Sequence, residues 1–338
     1  MKILIVKMSS LGDVIHTLPA ISDICAQIED VQIDWVVEEA FADIPALHPG
    51  VKNVLPIALR RWRHKPITAI ASKEIRTFLK ALRHETYDLV LDAQGLIKSA
   101  LFASLSHGRT VGLDWNSSRE SLASLFYDQR ISIAREQHAV DRTRQLAALT
   151  FDYTLSGTAN FGFALAQAQT PAIMLLHGTT WRSKHWPEEQ WRALAVIIRN
   201  AGYKLVIPAG NPVESARASR IAIDETELLP PTSLGELVRN MMACSGVVSV
   251  DTGLGHLAGA LGLPTVGIYG STDPILTGIR GVNAKTLASD HLPCIPCKKR
   301  HCKFSQDDCK IYPPCLAEAT PETTWIALQS QIRLAFGS

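Results

Sequence analysis

Short apolar runs rich in Ile, Val and Leu alternate along the chain with longer stretches of helical period. The run over residues 2–8 has the length and β-branching of a buried strand, and it stops at Ser9-Ser10-Leu11-Gly12. A helix is expected from Asp13 to Ile28, then strands at Ile33–Val37 and Asp88–Asp92. Between those strands Ile75, Phe78, Leu79 and Leu82 recur at i, i+3, i+4 and i+7, one face of a helix. Strand–helix–strand alternation of this kind specifies a parallel sheet covered on both faces.

From about Thr150 to Thr170 the pattern lapses into Gly, Thr, Ala, Asn and Gln, and then it restarts. Ala172–Leu176 reads as a strand and His177–Lys184 as a loop. The next helix opens on Pro187-Glu188-Glu189, with proline at its start and acids at the positive end of its dipole. Trp191, Leu194, Ala195 and Ile198 form its buried face, and Gly202 ends it. Lys204–Ile207, Val247–Val250 and Thr265–Ile268 read as further strands, and Ser233 with Glu236 forms a capping-box pattern. The expectation is α/β, two doubly wound Rossmann-like domains over 1–155 and 171–321 joined by a linker at 156–170.

Composition narrows the function. The 338 residues carry 34 Lys and Arg against 32 Asp and Glu, a formal charge of +2, which argues against a dedicated nucleic-acid binder. No apolar stretch reaches the roughly 18 residues of a membrane span, and the apolar run at the start is too short for a signal-peptide core. Seven cysteines do not suggest a secreted disulfide scaffold. A cytoplasmic protein is expected.

Five segments carry candidate chemistry. The loop Lys7–Asp13 follows the first strand, where open α/β folds bind ligands; Gly12 permits close approach, and Asp13 suits either a helix cap or a general base. It is not the G-x-G-x-x-G fingerprint of nicotinamide enzymes. Asp251-Thr252-Gly253-Leu254-Gly255-His256 follows another strand and offers backbone N–H groups suited to a diphosphate, without the Lys of a phosphoryl-transfer loop. In His177–Pro187, Lys184 is either a cation for a leaving diphosphate or a solvated surface charge. Arg60-Arg61-Trp62-Arg63-His64-Lys65 is a solvated face or a patch for a small polyanion, with Arg119 and His138 as further candidates. Cys294-x2-Cys297-x4-Cys302-x6-Cys309-x5-Cys315 lacks the second C-x2-C of a regular zinc knuckle. Reduced thiols are the default reading there, and a structural zinc on Cys294, Cys297, Cys302 and Cys309 the alternative.

Taken together the motifs resemble the ADP-heptose:lipopolysaccharide heptosyltransferases, inverting enzymes of glycosyltransferase family 9 with the GT-B fold. The resemblance runs from residue 1 to about 285 and returns in the final helix. It is carried by Val6-Lys7-x-Ser9-Ser10-Leu11-Gly12-Asp13-Val14-x-His16-Thr17-Leu18-Pro19 and Ser249-Val250-Asp251-Thr252-Gly253-Leu254-x-His256-Leu257. Trp35-Val36-Val37-Glu38-Glu39, Arg60–Arg63 and Asp92-Ala93-Gln94-Gly95-Leu96-x-Lys98-Ser99 place it nearest the first-heptose branch.

The resemblance implies two domains with the active site in the cleft between them and a helix at 322–338 returning onto the first domain. It implies Asp13 as general base and Lys184 as catalytic cation. Thr179, Thr180, Glu214, Asp251, Thr252, Gly253 and His256 would bind the nucleotide sugar. Ser9, Ser10, Gly12, Arg60, Arg61, Arg63, Arg119 and His138 would face the acceptor. The implied partners are ADP-heptose and Kdo2-lipid A at the cytoplasmic face of the inner membrane, served by a monomer that needs no cofactor, with divalent-cation dependence left open. Competing functions are a later-core heptosyltransferase, a GT-B nucleotide-sugar epimerase and a non-catalytic nucleotide-binding module.

Overall fold

The computed structural model of the chain describes residues 1–65, 67–68, 72–165, 170–305, 309 and 311–337. It divides into two units, Met1–Phe163 and Ala164–Ser338. The boundary falls inside the expected linker, of which residues 166–169 lie outside the described residues.

The first unit holds six strands: β1 (Lys2–Val6), β2 (Gln32–Glu38), β3 (Val51–Ile57), β4 (Thr86–Asp92), β5 (His107–Leu113) and β6 (Gln129–Ile131). They lie in the order β3-β2-β1-β4-β5-β6, and every pairing is parallel. The second unit repeats the plan with β7 (Ala172–Leu176), β8 (Lys204–Pro208), β9 (Glu227–Leu229), β10 (Gly246–Val250), β11 (Thr265–Tyr269) and β12 (Ala284–Ala288). Their order, β12-β11-β10-β7-β8-β9, is the first unit's arrangement run from the opposite edge. In each sheet the strand order reverses between the first and fourth strands, β1 and β4 or β7 and β10. A crevice opens there at the carboxyl ends of the strands, the point at which doubly wound folds bind ligands.

The expected central strands are present, whereas β3, β5, β6, β9 and β12 carry too weak a pattern to have been expected. The edge strands β3 and β12 are largely uncovered, and β6 and β9 have only three residues each. The single helix expected over 13–28 is two, Leu11–Ile15 and Leu18–Gln27. Pro19 supplies the break: it has no N–H to continue the first helix and sits in the first turn of the second.

The helix Pro321–Phe336 differs from expectation by belonging to the second unit. Its Trp325, Leu328 and Ile332 share one core with Trp186, Trp191 and Leu194 of the loop and helix after β7. Trp186 and Trp191 are fully buried, edge to face with ring centroids 5.0 Å apart, so both are core packing.

Two buried histidines tie stability to pH. In the first unit Nδ1 of His48 accepts from Gly50 N at 3.0 Å and Nε2 lies 2.9 Å from the Ser22 hydroxyl. Gly162, at φ +75°, has no Cβ to strike the His48 ring, which would otherwise lie 2.2 Å away. In the second unit His177 is fully buried at the end of β7. Burial lowers the pKa of each to about 4, helped at His177 by the Arg217 charge. Both are neutral when folded and regain a proton in the unfolded chain below about pH 6.5. Stability is therefore complete above that pH and falls toward pH 4, by roughly 3 kcal/mol for each histidine. Thermal unfolding followed between pH 7 and 4.5 should show a falling Tm, and His48→Gln should flatten the profile; a pH-independent Tm would contradict this.

Candidate active site

The switch point of each sheet carries one candidate loop on either side, and side chains stitch the two loops together. In the first unit the pair is Lys7–Asp13 after β1 and Ala93–Lys98 after β4. Lys7 is buried, and its Nζ donates to the Ala93 carbonyl at 2.7 Å. Met8 N donates to Gln94 Oε1 at 2.7 Å. Gln94 N and Gly95 N donate in turn to Oδ1 of buried Asp92, whose Oδ2 accepts from the Tyr127 hydroxyl at 2.8 Å.

These charges oppose burial. Desolvation pulls the Lys7 ammonium below its ordinary pKa while Asp13 and Asp92 push it back, and Arg142 and Arg119 add to the lowering. Desolvation raises Asp92, and the Ser99, Gln94, Tyr127 and Gly95 donors resist that rise. A buried cation and a buried carboxylate thus sit on opposite sides of the crevice, each held by hydrogen bonds.

Asp13 occupies the third position of the helix Leu11–Ile15, where it completes a capping box. Its Oδ2 accepts from Ser10 N at 2.7 Å and from Ser10 Oγ at 2.8 Å. Ser9 Oγ lies 3.4 Å from both Gln94 Nε2 and Lys98 Nζ. The cap and the candidate base are therefore the same carboxylate, and the two readings of Asp13 do not compete.

The basic run forms the helix Leu59–His64. Arg61 is already engaged, bonded to both carboxylate oxygens of Glu39 and of Glu74, and Glu74 also accepts from Trp62 Nε1. Its guanidinium thus holds this helix against its neighbours. Arg60 N donates to Oε1 of buried Glu38, and its guanidinium stands 4.9 Å over the Phe41 ring. Arg60 and Arg63 both lower the Lys98 pKa, which half-burial has already depressed, and Glu38 counters them. Arg60, Arg63 and Lys98 therefore form one positive patch. Arg119 is exposed. His138 is 4% exposed, accepts from Val140 N as a helix cap and meets His16 edge to face.

In the second unit the paired loops are His177–Lys184 after β7 and Asp251–Gly253 after β10. Lys184 Nζ lies 2.6 Å from Asp251 Oδ2, with both side chains largely buried. Thr272, past the end of β11, donates its hydroxyl to the same oxygen, and Thr179 Oγ1 donates to the Asp251 carbonyl at 3.3 Å. The Trp181 ring lies 4.6 Å below the Lys184 ammonium. Thr180 is exposed in the same loop. Glu214 reaches across from the helix after β8: Gly210 N donates to its Oε2 at 2.8 Å, and a Cβ on Gly178 would lie 3.1 Å from its carboxyl carbon.

The helix Gly253–Ala260 starts at Thr252, whose hydroxyl makes no capping bond, and His256 is buried one turn further on. Gly255 lets this helix lie on β10, since a Cβ there would stand 2.5 Å from Ser249 Oγ. Carbonyl-acceptor, ammonium, carboxylate and helix N-terminus thus converge beside one strand edge, an arrangement suited to a nucleoside diphosphate.

Sequence reasoning quoted Lys7, Gln94 and Lys98 as motif residues without giving them a site role, and it did not single out Thr272. Thr272 was legible as the residue beyond the end of β11, on the same edge as Asp251. Gln94 acts through a backbone bond that no local pattern reveals.

The Lys184–Asp251 pair should behave as a buried ion pair. Lys184→Met leaves Asp251 uncompensated and should cost roughly 3 kcal/mol, whereas adding Asp251→Asn should recover much of it. Denaturant unfolding of both single variants and the double variant reads this; purely additive losses would show the two charges to be uncoupled.

Comparison with known proteins shows the family and the fold. The family model described as "Glycosyltransferase family 9 (heptosyltransferase)" matches residues 75–307. The lipopolysaccharide heptosyltransferase 1 of Pseudomonas aeruginosa is 42% identical over 349 residues, covering 98% of each chain. The structure of the Escherichia coli heptosyltransferase WaaC with ADP superposes with a TM-score of 0.80 at 43% identity, covering 85% of this chain and 92% of that one. The same enzyme with ADP-2-deoxy-2-fluoro heptose gives 0.79 at 42% identity, over 86% and 94%. The chain belongs to glycosyltransferase family 9, the heptosyltransferases.

Proposed function

We propose that the chain is an inverting glycosyltransferase that moves L-glycero-D-manno-heptose from ADP-heptose to the first Kdo of Kdo2-lipid A in lipopolysaccharide inner-core synthesis. The observation that supports the reading is the difference between the two switch points. One presents a hydrogen-bonded carboxylate, Asp13, beside a positive patch, and the other the Lys184–Asp251 pair beside a helix N-terminus, which suits a diphosphate. The full-length match to a first-heptose enzyme favours Kdo over a later-core acceptor.

In this reading Asp13 takes the proton of the acceptor hydroxyl as that oxygen attacks the anomeric carbon from the face opposite ADP. The bond from the anomeric carbon to the diphosphate oxygen breaks, and inversion follows through an oxocarbenium-like transition state. Lys184, oriented by Asp251 and Trp181, meets the negative charge growing on the leaving diphosphate. Backbone N–H groups at Gly253 and the Thr252 and Thr179 hydroxyls complete the cradle, and Glu214 receives the ribose hydroxyls. The chemistry needs no cofactor, and one chain carries both base and cradle, so a monomer suffices.

Arg60, Arg63, Lys98 and Arg119 suit the Kdo carboxylates and lipid A phosphates. No helix among the described residues is long and apolar enough to cross a membrane. A lipid-anchored acceptor would be met at the inner-membrane surface. Exposed Leu122, Leu125 and Phe126, on a 3-10 turn packed beside the helix bearing exposed Ile97 and Leu101, would face the lipid.

The test is ADP release from ADP-heptose with and without Kdo2-lipid A. Release should depend on that acceptor, and a heptose-terminated acceptor preferred over it would move the enzyme to a later step. Asp13→Ala should lower turnover roughly 10²-fold or more with ADP affinity retained; unchanged turnover removes Asp13 from the chemistry. Lys184→Ala should also cost roughly 10²-fold in turnover, and normal kinetics there would return Lys184 to a structural role.

A further inference from the structure

The cysteine-rich segment is the one sequence motif that the transfer reaction leaves unused. It packs against the donor side of the second unit by backbone bonds: Ser183 N donates to the Arg300 carbonyl at 3.0 Å and Lys298 N to the Ser271 carbonyl at 2.7 Å. The Ser183 hydroxyl adds a bond to the Lys299 carbonyl at 2.6 Å. Ser183 and Ser271 are the chain neighbours of Lys184 and Thr272, the two side chains that grip Asp251. The segment is therefore a buttress behind the donor loop.

Within it four thiols, Cys294, Cys297, Cys302 and Cys315, line a single cavity of about 220 Å³. Cys302, Cys297 and Cys294 each act electrostatically on the Cys315 thiol. None of the four is in a disulfide, and Cys309 is not among the residues lining that cavity. The structure thus replaces the expected fourth member, Cys309, by Cys315, which lies buried against Gly270 just past β11. Among the described residues no three His, Cys, Asp or Glu side chains are already gathered around a common centre, so binding a metal would have to draw the thiols together.

We propose that this cavity is a structural metal site that closes on one thiolate-preferring transition ion, Zn²⁺ in the first instance, through Cys294, Cys297, Cys302 and Cys315. Three features carry the assignment: a C-x2-C pair, two further thiols on the same cavity wall, and a donor set of sulfur without carboxylate, which selects Zn²⁺ over Mg²⁺ or Ca²⁺. Binding exchanges four thiol protons for the ion, so affinity rises with pH. The ion would bind residues 294–302 to Cys315 and so fix the backbone against which Ser183 and Ser271 rest. This consequence for the donor loop rests on the reading of Lys184 given above; the metal site itself does not.

The experiment uses the full chain purified without chelator. Metal analysis should find about one zinc per chain, the content of a closed four-ligand site. After the metal is stripped under reducing conditions, added Zn²⁺ should protect four of the seven cysteines from a thiol reagent, and mass mapping should place the protection at residues 294, 297, 302 and 315. Cys309→Ser should keep the metal and Cys315→Ser should lose it. If Cys315→Ser does not fold, the protection map of the unaltered chain decides alone. No bound metal together with no Zn²⁺-dependent protection overturns the site, and protection of Cys309 in place of Cys315 overturns the assignment. Neither measurement involves ADP or acceptor. Failure here therefore leaves the transferase reading standing, and an inactive transferase would leave the metal count unchanged.

Discussion

In each sheet the fourth strand pairs with the first, so the chain must leave these two neighbours in opposite directions. No connection can then cover the carboxyl edge where they meet, and the loops that follow them face each other over an open crevice. The candidate base and the candidate cation both depend on that constraint. Asp13 and Lys98 lie on either side of the reversal in the first unit, and Lys184 and Asp251 in the second. The sheets supply the rigidity, since β7 and β10 are buried throughout and β1 is buried beyond Lys2.

The crevices are also where charge is placed out of water. A buried charge survives only with a partner or a full set of hydrogen bonds. Lys7 is satisfied by the Ala93 carbonyl and the fields of Asp13 and Asp92, and Asp92 by two backbone N–H groups and a tyrosine hydroxyl. Asp251 is satisfied by Lys184 and Thr272. Each network spans two loops, so it fixes their spacing as well as its own charges. The supporting polar groups are thus inseparable from the site they support.

Much of this architecture was legible in advance. The central strands announce themselves as β-branched apolar runs, and the two halves restart on the same pattern after the polar stretch near residue 160. What escaped was set by tertiary context. Edge strands such as β12 are half-solvated and carry no strong alternation, and the helix after β1 breaks because Pro19 cannot continue it. The final helix packs with Trp191 and Leu194, a choice between partners that its own amphipathic face does not encode. Arg61 looked like its neighbours in the basic run, yet Glu39 and Glu74 claim it from 22 and 13 residues away in the chain. Cysteine spacing named a cluster but not its members, because Cys315 joins the cavity through the chain's return past β11.

In the proposed reading of Lys184 as the cation for a diphosphate, its pairing with Asp251 bears on the whole cycle. The ammonium already has an internal anion 2.6 Å away. A diphosphate arriving in this cradle would compete with or join that carboxylate instead of meeting a bare cation. Its electrostatic gain would be the difference between two paired states, smaller than the full attraction of an isolated charge. The same difference would govern departure, with Asp251 in place to take back the ammonium. An enzyme built in the proposed way would hold its spent nucleotide less tightly than its charge alone suggests, and would reload without exposing an unpaired lysine.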